Sequence, residues 1–275
     1  MLLEYLFGED VSMNYPSAIV AGNLDGLHVG HMKLINAVKQ KAYENGLKTA
    51  VVSFSPHPMV FFGTDPRLKR IVSVKEKLLL LKQHEIDYYI EIPFNQRFAA
   101  LLPKEFISDV LVEKLKCAAL VVGEDYGFGK GRAGDVKTAQ EICAQFNVMM
   151  TVAPHAICGM SGEKISSSLI RRLISEKNFI YAKELLGYDY FLIGKGQVVQ
   201  SDADGSTFMM NILVDEQKLL PPDGTYKTEI QLNDKVFFCT TCIAGRTVTV
   251  ADISDKMVEA EDVKLTFMSY IRKKP

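Results

Sequence analysis

The pattern of apolar and polar residues changes once along this chain. From about residue 18 to residue 152, short apolar runs such as SAIVAG and KTAVVSFS alternate with segments whose apolar residues recur at helical spacing. Repeated strand–helix units of this kind are typical of a mainly parallel sheet with helices on both faces. Because such sheets bind ligands at the carboxyl ends of their strands, we expect the chemistry in the loops that follow the strands.

From residue 188 onward the segments are rich in β-branched and aromatic residues, as in TYKTEIQL and KVFFCTTCIA, and turn sequences such as PPDG separate them. This pattern predicts an antiparallel barrel or sandwich of about six strands. We therefore expect an α/β, Rossmann-like domain over residues 1–187 and a small antiparallel β domain over residues 188–275. The apolar N-terminus lacks a basic segment and soon meets Glu4, so it predicts a first strand and not a signal peptide.

The composition narrows the classes of partner. The formal net charge of −1 and the 24% share of charged residues suggest neither non-specific nucleic-acid binding nor attraction to an anionic membrane. No apolar run approaches the roughly 20 residues that span a bilayer. The odd number of cysteines, five, favours reduced thiols in a cytoplasmic protein. Cys239 and Cys242 have the CxxC spacing without a second ligand pair, so we expect two buried thiols and no zinc site.

The stretch GNLDGLHVGH, residues 22–31, joins the apolar run AIVA to a segment with helical spacing. Glycine allows a tight turn and the close approach of a phosphate, and a helix N-terminus favours an anion. His28 and His31 are three residues apart and so project from nearly the same side of the first helical turn. The residues alone leave three interpretations open: a phosphate cradle, a metal site that would need a third ligand, or a turn that contains histidines.

Four further motifs follow in order: SFSPHP at 53–58, FNQRFAALLPKEFI at 94–107, VVGEDYGFGKGRAGD at 121–135 and KISSSLIR at 164–171. HxGH resembles the signature of the nucleotidyltransferase superfamily. The five motifs together resemble the adenylyltransferase half of the bacterial bifunctional riboflavin kinase/FMN adenylyltransferases, the prokaryotic FAD synthetases. The resemblance covers roughly residues 1–187. Tyr126-Gly127-Phe128 departs mildly from the D-F-x-F-G pattern usual in that family.

The resemblance implies ATP and FMN as substrates, with Mg²⁺ bound to the ATP phosphates and no dedicated metal site on the protein. The catalytic residues that it implies are His28, His31, Ser167 and Arg171, with Arg171 preferred to Arg172 on the family spacing. The implied ATP-binding residues are Gly22, Asn23, Leu24, Asp25, Gly30, Ser166 and Ser168. The implied FMN-binding residues are Ser53, Phe54, Pro56, His57, Pro58, Asp125, Tyr126, Phe128 and Arg132.

The second half resembles the riboflavin kinase barrel of the same family, but its site is degenerate. The family's P-T-A-N segment, whose threonine and asparagine serve ATP and Mg²⁺, is replaced by Phe208-Met209-Met210-Asn211, and methionine offers no hard oxygen ligand. We find no N-I-G-x-x-P-T segment and no histidine-flanked glutamate to act as a base. We therefore expect an FMN adenylyltransferase without riboflavin kinase activity.

Three alternatives remain open. The chain could be a full bifunctional enzyme with a kinase site rebuilt from other residues, or a flavin-binding regulatory protein whose barrel is an interaction module. It could also adenylylate another phosphorylated acceptor, which SFSPHP and the GEDYGFG loop disfavour. Intact HxGH and ISSSxxR argue against a pure binding protein. We expect only small-molecule partners, and the sequence leaves the oligomeric state open.

Overall fold

The computed structural model describes residues 3–159, 162–200, 208–232, 235–253 and 260–271. The contacts within the chain divide it into two compact units. The first comprises Met1–Leu68 with Leu78–Lys164, and the second comprises Lys69–Lys77 with Ile165–Pro275.

A six-stranded sheet forms the first unit. Its strands are β1 (Glu4–Phe7), β2 (Ser17–Ala21), β3 (Lys48–Ser55), β4 (Tyr88–Pro93), β5 (Cys117–Gly123) and β6 (Met149–Ala153). They lie in the order β1-β4-β3-β2-β5-β6, and every pair is parallel. The predicted parallel sheet and the predicted first strand are therefore confirmed. The strand order reverses at β2, the strand that leads into GNLDGLHVGH, and ligands of open α/β sheets bind at such a point.

Helices follow the strands as the periodicity predicts. Between residues 29 and 145 they are α1 (Val29–Asn45), α2 (Pro58–Phe61), α3 (Val74–Gln83), α4 (Gln96–Ala99), α5 (Pro103–Glu105, continued by a π-helical segment over Phe106–Lys114), a 3₁₀ turn at Lys130–Arg132, and α6 (Val136–Gln145). α1 buries Ile35, Val38 and Ala42 and ends at Gly46, whose left-handed conformation (φ 64°) suits glycine. Apolar side chains of the sheet and of these helices form the core of the unit.

The second unit contains α7 (Ser167–Ser175), α8 (Phe179–Leu186) and a closed barrel. The barrel strands are β7 (Phe191–Gln200), β8 (Phe208–Val214), β9 (Gly224–Leu232), β10 (Lys235–Ala244), β11 (Thr247–Ile253) and β12 (Ala260–Ile271). Around the barrel they run β10-β11-β8-β7-β12-β9, with antiparallel pairing throughout. This confirms six antiparallel strands and decides for a barrel over a sandwich.

Helix α8 packs on the barrel. Phe179 stacks on Phe267 with ring centroids 5.6 Å apart and meets Tyr226 edge-on at 5.8 Å. Helices α7 and α8 consequently belong to the same compact unit as the barrel, whereas the sequence predicts a domain boundary after residue 187. That boundary stays a prediction about family domains.

Two smaller expectations have outcomes in the structure. All five cysteines are free thiols, but Cys242 is exposed and Cys239 only half-buried, so the expectation of two buried thiols is wrong. The two are three residues apart on β10, and alternate strand positions face opposite sides of a sheet. No helix in the described ranges is long and apolar enough to cross a membrane.

Candidate active site

The loop after β2 makes a tight, strained turn into α1. Leu24 and Leu27 adopt left-handed backbone conformations, with φ of 41° and 39°, which leucine rarely does. Both side chains are buried, and Leu27 N–H donates to the Leu24 carbonyl at 3.2 Å. Burial of the two leucines offsets the strain of the turn. The turn places His28 at the N-terminus of α1.

His28 caps α1 and is neutral. Its Nδ1 accepts a hydrogen bond from the His31 backbone N–H at 3.3 Å, which leaves the ring proton on Nε2. The side chain is buried, and this burial lowers the pKa of His28 from 6.5 to about 4, with repulsion by Lys164 adding to the shift and attraction by Asp25 opposing it. The rings of His28 and His31 stack with centroids 3.6 Å apart. At neutral pH the first helical turn therefore carries an uncharged imidazole donor.

Gly30 makes room for that ring. A Cβ atom added at Gly30 would lie 3.0 Å from both Cε1 and Nδ1 of His28, closer than nearly all real contacts of a Cβ atom. The glycine of HxGH is thus explained by the ring that packs over it and not by an unusual backbone angle.

Asn23 joins the loop of the histidines to the next strand. Its Oδ1 accepts from the Phe54 backbone N–H at 3.0 Å and from the Ser53 hydroxyl at 3.3 Å. Ser53 is buried, and its hydroxyl also reaches the Asn23 carbonyl at 3.5 Å. These bonds bring the predicted ATP loop and the start of the predicted FMN loop to the same edge of the sheet.

The SFSPHP loop places its histidine as a helix cap. His57 Nδ1 accepts from the Met59 backbone N–H at 3.1 Å, at the start of α2, where Pro58 is the first helical residue. The peptide bond between Ser55 and Pro56 is cis. His57 therefore has a structural role as the N-cap of α2.

Phe54 belongs to an aromatic cluster at this edge. Neighbouring rings in the cluster have centroids between 5.0 and 6.3 Å apart; the members are Phe54, Phe61, Phe62, Phe94, Phe98, Phe106, Tyr126 and Phe128. Three of them come from the FNQRFAALLPKEFI motif, for which the sequence analysis named no site residue. Phe62 is exposed, so the cluster reaches the surface. An aromatic surface of this kind suits the face of a flat heterocycle.

The glycine-rich loop after β5 is closely packed. Tyr126 stacks on Phe128 at 5.0 Å, and Phe128 exchanges two backbone hydrogen bonds of 3.0 Å with Gly134. Burial, with the nearby thiols of Cys117 and Cys143, raises the pKa of the Tyr126 hydroxyl. The hydroxyl is thus directed into the core, and the ring is the part of Tyr126 that belongs to the aromatic cluster.

Arg132 folds back over its own loop. It has a left-handed backbone (φ 58°), and a Cβ atom at Gly127 would lie 2.6 Å from its Nη2. Gly129 packs against Pro103, where a Cβ atom would come within 2.8 Å of the ring. The Arg132 guanidinium therefore covers Gly127 in this structure.

A charged cluster that the sequence analysis missed surrounds Asp125. Lys164 Nζ donates to Asp125 Oδ2 at 2.6 Å and lies 3.3 Å from Nε2 of His155. Glu124 Oε2 accepts from the His155 backbone N–H at 2.9 Å. Burial alone would raise the pKa of Asp125, but the hydrogen bond and charge of Lys164 outweigh it and lower that pKa. His155 follows β6, so the rule that ligands bind after parallel strands could have found it.

The residues of the KISSSLIR motif beyond Lys164 belong to the second unit. Ser166 caps α7, with its hydroxyl accepting from the Leu169 N–H at 3.3 Å, and Ser167 and Ser168 form the first turn. Arg171 donates from Nε to the Lys69 carbonyl at 2.9 Å. In the described part of the chain, no three His, Cys, Asp or Glu side chains group in a way that could hold a metal ion.

Comparison with known proteins now names the family. A family model described as FAD synthetase matches residues 10–169. The chain belongs to the FAD synthetase family. It is 33% identical over 215 residues to the bifunctional riboflavin kinase/FMN adenylyltransferase of Escherichia coli K12, covering 77% of this chain and 67% of that one. The FAD synthetase of Listeria monocytogenes is 32% identical over 78% of this chain and 81% of its own length.

The chain is accordingly a nucleotidyltransferase, an FMN adenylyltransferase, of a family whose substrates are ATP and FMN. A crystal structure described as a macrolide-efflux protein from Streptococcus pneumoniae superposes with a TM-score of 0.83 over 100% of this chain and 92% of that chain. At 21% identity that likeness supports the fold alone.

Proposed function

We propose that this protein makes FAD and pyrophosphate from FMN and ATP and has no riboflavin kinase activity. The observation that carries the adenylyl transfer is the stacked pair of His28 and His31 at the N-terminus of α1, with His28 held neutral and its proton on Nε2. The pair follows β2, where the strand order reverses.

The chemistry suits a neutral donor. A phosphate oxygen of FMN attacks the α-phosphorus of ATP, a new P–O bond forms, and the bond to the bridging oxygen breaks so that pyrophosphate leaves. The FMN phosphate is already ionised at neutral pH, so this step needs no base. With a pKa of about 4, His28 carries no extra proton to give away. It acts by donating a hydrogen bond to oxygens on which negative charge increases.

The remaining predicted residues divide between the two substrates. Asn23 and Asp25 order the loop of the histidines near the nucleotide, Ser167 and Arg171 hold the leaving pyrophosphate, and the capping Ser166 sets the start of α7. The aromatic cluster, which includes Phe54 and Phe128, faces the isoalloxazine. These roles are proposals that rest on the family resemblance and on the placements described above.

Mg²⁺ fits this site as a partner of the phosphates. The described residues offer no group of three or more metal-ligating side chains, so the phosphates would supply most of the oxygens and Asp25 is the carboxylate next to His28. When bound, the ion neutralises phosphate charge.

The sequence and the packing of β8 support the loss of riboflavin kinase activity. Met210 is fully buried, and a Cβ atom at Gly196 on β7 would lie 2.6 Å from its sulfur, so the thioether packs against the neighbouring strand. Asn211 accepts from the Thr249 hydroxyl at 2.8 Å through Oδ1. At the threonine position of the family's P-T-A-N segment this chain has Met209, which offers no hard oxygen to ATP and Mg²⁺, while the buried Met210 stands at the alanine position and the asparagine is kept as Asn211. Asp202 and Gly205, which match the family pattern, lie outside the described residues.

One experiment tests both halves of the proposal. The purified protein is incubated with ATP and Mg²⁺ and either FMN or riboflavin, and the flavins are separated by chromatography. We expect FAD from FMN and neither FMN nor FAD from riboflavin. FAD from riboflavin would restore the bifunctional alternative, and no product from FMN would favour a flavin-binding regulatory protein. The His28→Ala protein, purified in parallel, controls for contaminating enzymes.

A further inference from the structure

We infer that Lys218 is a positioning residue for adenylyl transfer: it locks the backbone segment 69–73 that holds the side chain of Arg171. The inference rests on the proposed function, because it assumes that Arg171 holds the pyrophosphate. All residues concerned belong to the second unit.

Lys218 is a buried cation whose three donors are all used. Its side chain is 0% exposed, and Nζ donates to Glu76 Oε2 at 2.6 Å, to the Ile71 carbonyl at 2.6 Å and to the Phe191 carbonyl at 2.7 Å. The ring of Tyr190 lies 4.4 Å from the same nitrogen. A buried ammonium is tolerated only when it is paired and hydrogen-bonded in this way.

Glu76 completes the network. It is also fully buried, and it accepts from the Ser73 N–H at 2.9 Å and from the Ile193 N–H at 2.8 Å. The Lys218–Glu76 pair thus bonds to backbone groups at Ile71 and Ser73 in the segment and to β7 of the barrel. When every group of a buried polar network is hydrogen-bonded, the network restricts the backbone to one geometry more strictly than apolar contacts do.

The loop that carries Lys218 pairs with the same segment. Arg70 N–H donates to the Gln217 carbonyl at 2.7 Å, and its own carbonyl accepts from the Leu219 N–H at 2.7 Å, as in a short parallel bridge. Lys69 Nζ adds a bond of 2.8 Å to the Glu216 carbonyl.

Arg246 secures the other side of this loop. Its Nη1 donates to the Lys218 carbonyl and its Nη2 to the Asp215 carbonyl, both at 2.7 Å. The carbonyls of residues 215–218 all accept bonds from Arg246 or from the segment, and that of Leu219 accepts from the Tyr190 hydroxyl at 2.5 Å.

The segment 69–73 in turn positions the side chain of Arg171. Its Nε donates to the carbonyl of Lys69, the residue before the bridged Arg70, at 2.9 Å. A bond at Nε sets the direction of the planar guanidinium, and an anion is bound in that plane. The position of the Lys69 carbonyl, and hence the aim of Arg171, therefore depends on Lys218 and its loop. This gives the barrel a part in adenylyl transfer that does not involve a kinase site.

The test compares Lys218→Met with a matched control, Lys227→Met, which removes an exposed lysine on β9. We expect Lys218→Met to lower kcat on the order of tenfold, the scale of a misplaced binding group, with KM for FMN unchanged. The control should match the parent protein. Thermal unfolding shows whether each variant is folded at the assay temperature. Arg246→Ala loosens the same loop without burying an unpaired charge, and we expect it to lower kcat a few fold.

A double-mutant cycle separates positioning from general damage. If Lys218 acts through Arg171, Lys218→Met added to Arg171→Ala should change kcat less than about twofold. The same loss in both backgrounds would overturn the inference, as would an unchanged kcat in folded Lys218→Met. If Lys218→Met does not fold, Arg246→Ala takes its place in the cycle under the same criteria. An Arg171→Ala enzyme with the parent rate would instead reject the proposed role of Arg171.

Discussion

His28 in the first unit and Lys218 in the second are both basic side chains that the fold withdraws from water, 4% and 0% exposed. The fold treats their charges in opposite ways. Burial lowers the pKa of His28 to about 4, so the ring stays neutral, whereas Lys218 is paired with Glu76 and donates all three of its hydrogens. His28 stands at a helix N-terminus after a strained turn, and Lys218 stands in a satisfied network.

The comparison separates the proposed catalytic group from a structural one. Burial alone does not distinguish them, because both side chains are buried and only their hydrogen-bond partners differ. All three hydrogens of the Lys218 ammonium group are donated to groups of the protein, and these bonds fix backbone segments in place. In His28 the capping bond uses Nδ1 and leaves the ring proton on Nε2, a donor that suits a phosphate oxygen. The predictions that follow test this contrast, from the largest expected effect to the smallest.

Lys218→Met should lower the free energy of unfolding by about 3–5 kcal/mol, because it leaves the buried carboxylate of Glu76 without its cation. Chemical denaturation at pH 7 measures the change. Lys227→Met should stay within about 0.5 kcal/mol of the parent, as surface substitutions usually do. Equal stability of the two variants would show that the network does not hold the second unit together.

His28→Ala or His31→Ala should lower kcat by a factor of about 10² or more, since each removes one donor to a charge that increases in the transition state. FAD formation from FMN and ATP is the assay. His84→Ala, a substitution at the half-buried histidine just after α3, is the matched control and should leave the rate unchanged. A parent-like rate in His28→Ala would remove the main support for the proposed mechanism.

The depressed pKa of His28 predicts a loss of stability in acid. Between pH 6.5 and about 4, the unfolded chain binds a proton at His28 that the folded protein does not, so stability falls as the pH drops through this window. At pH 5 the loss relative to pH 7.5 is about 2 kcal/mol. His28→Asn, compared with the parent at both pH values by urea unfolding, should lose less by about this amount. Parallel losses would mean that His28 titrates normally.

Gly30→Ala should separate activity from stability. Alanine is the better helix former, but its Cβ would lie 3.0 Å from the His28 ring and so displace it. We expect kcat to fall about tenfold, less than for removal of the ring, while the free energy of unfolding changes by less than about 1 kcal/mol. Loss of stability without loss of rate would place the constraint elsewhere than on the histidine.

Much of the first unit could be predicted from the sequence. The alternation of apolar runs and helical spacing is local, and it located β2 and α1 with bounds close to those observed. In the second unit it predicted about six antiparallel strands but left barrel or sandwich open. HxGH alone indicated a superfamily, and the five motifs in order led by resemblance to the correct family.

The sequence did not reveal the interactions between residues that are far apart in the chain. Lys164 and Asp125 are 39 residues apart, and Lys218 and Glu76 are 142 apart. Neither pair leaves a periodic signal, and an isolated lysine in a loop is usually a solvated one. The aromatic cluster contains Phe94, Phe98 and Phe106, which belong to a motif for which the sequence predicted no site residue.

By itself, then, the sequence determined the succession of strands and helices along the chain and the two histidines at the head of α1, which follow from local patterns. It also determined the family, which follows from five motifs in order. Only the tertiary structure decided that His28 is neutral, that Gly30 serves its ring, and that Lys218 fixes the backbone that holds Arg171. The neutral His28 and the Lys218 network arise from burial and from pairing across long sequence separations, and the Gly30 contact arises from the way the His28 ring packs on α1.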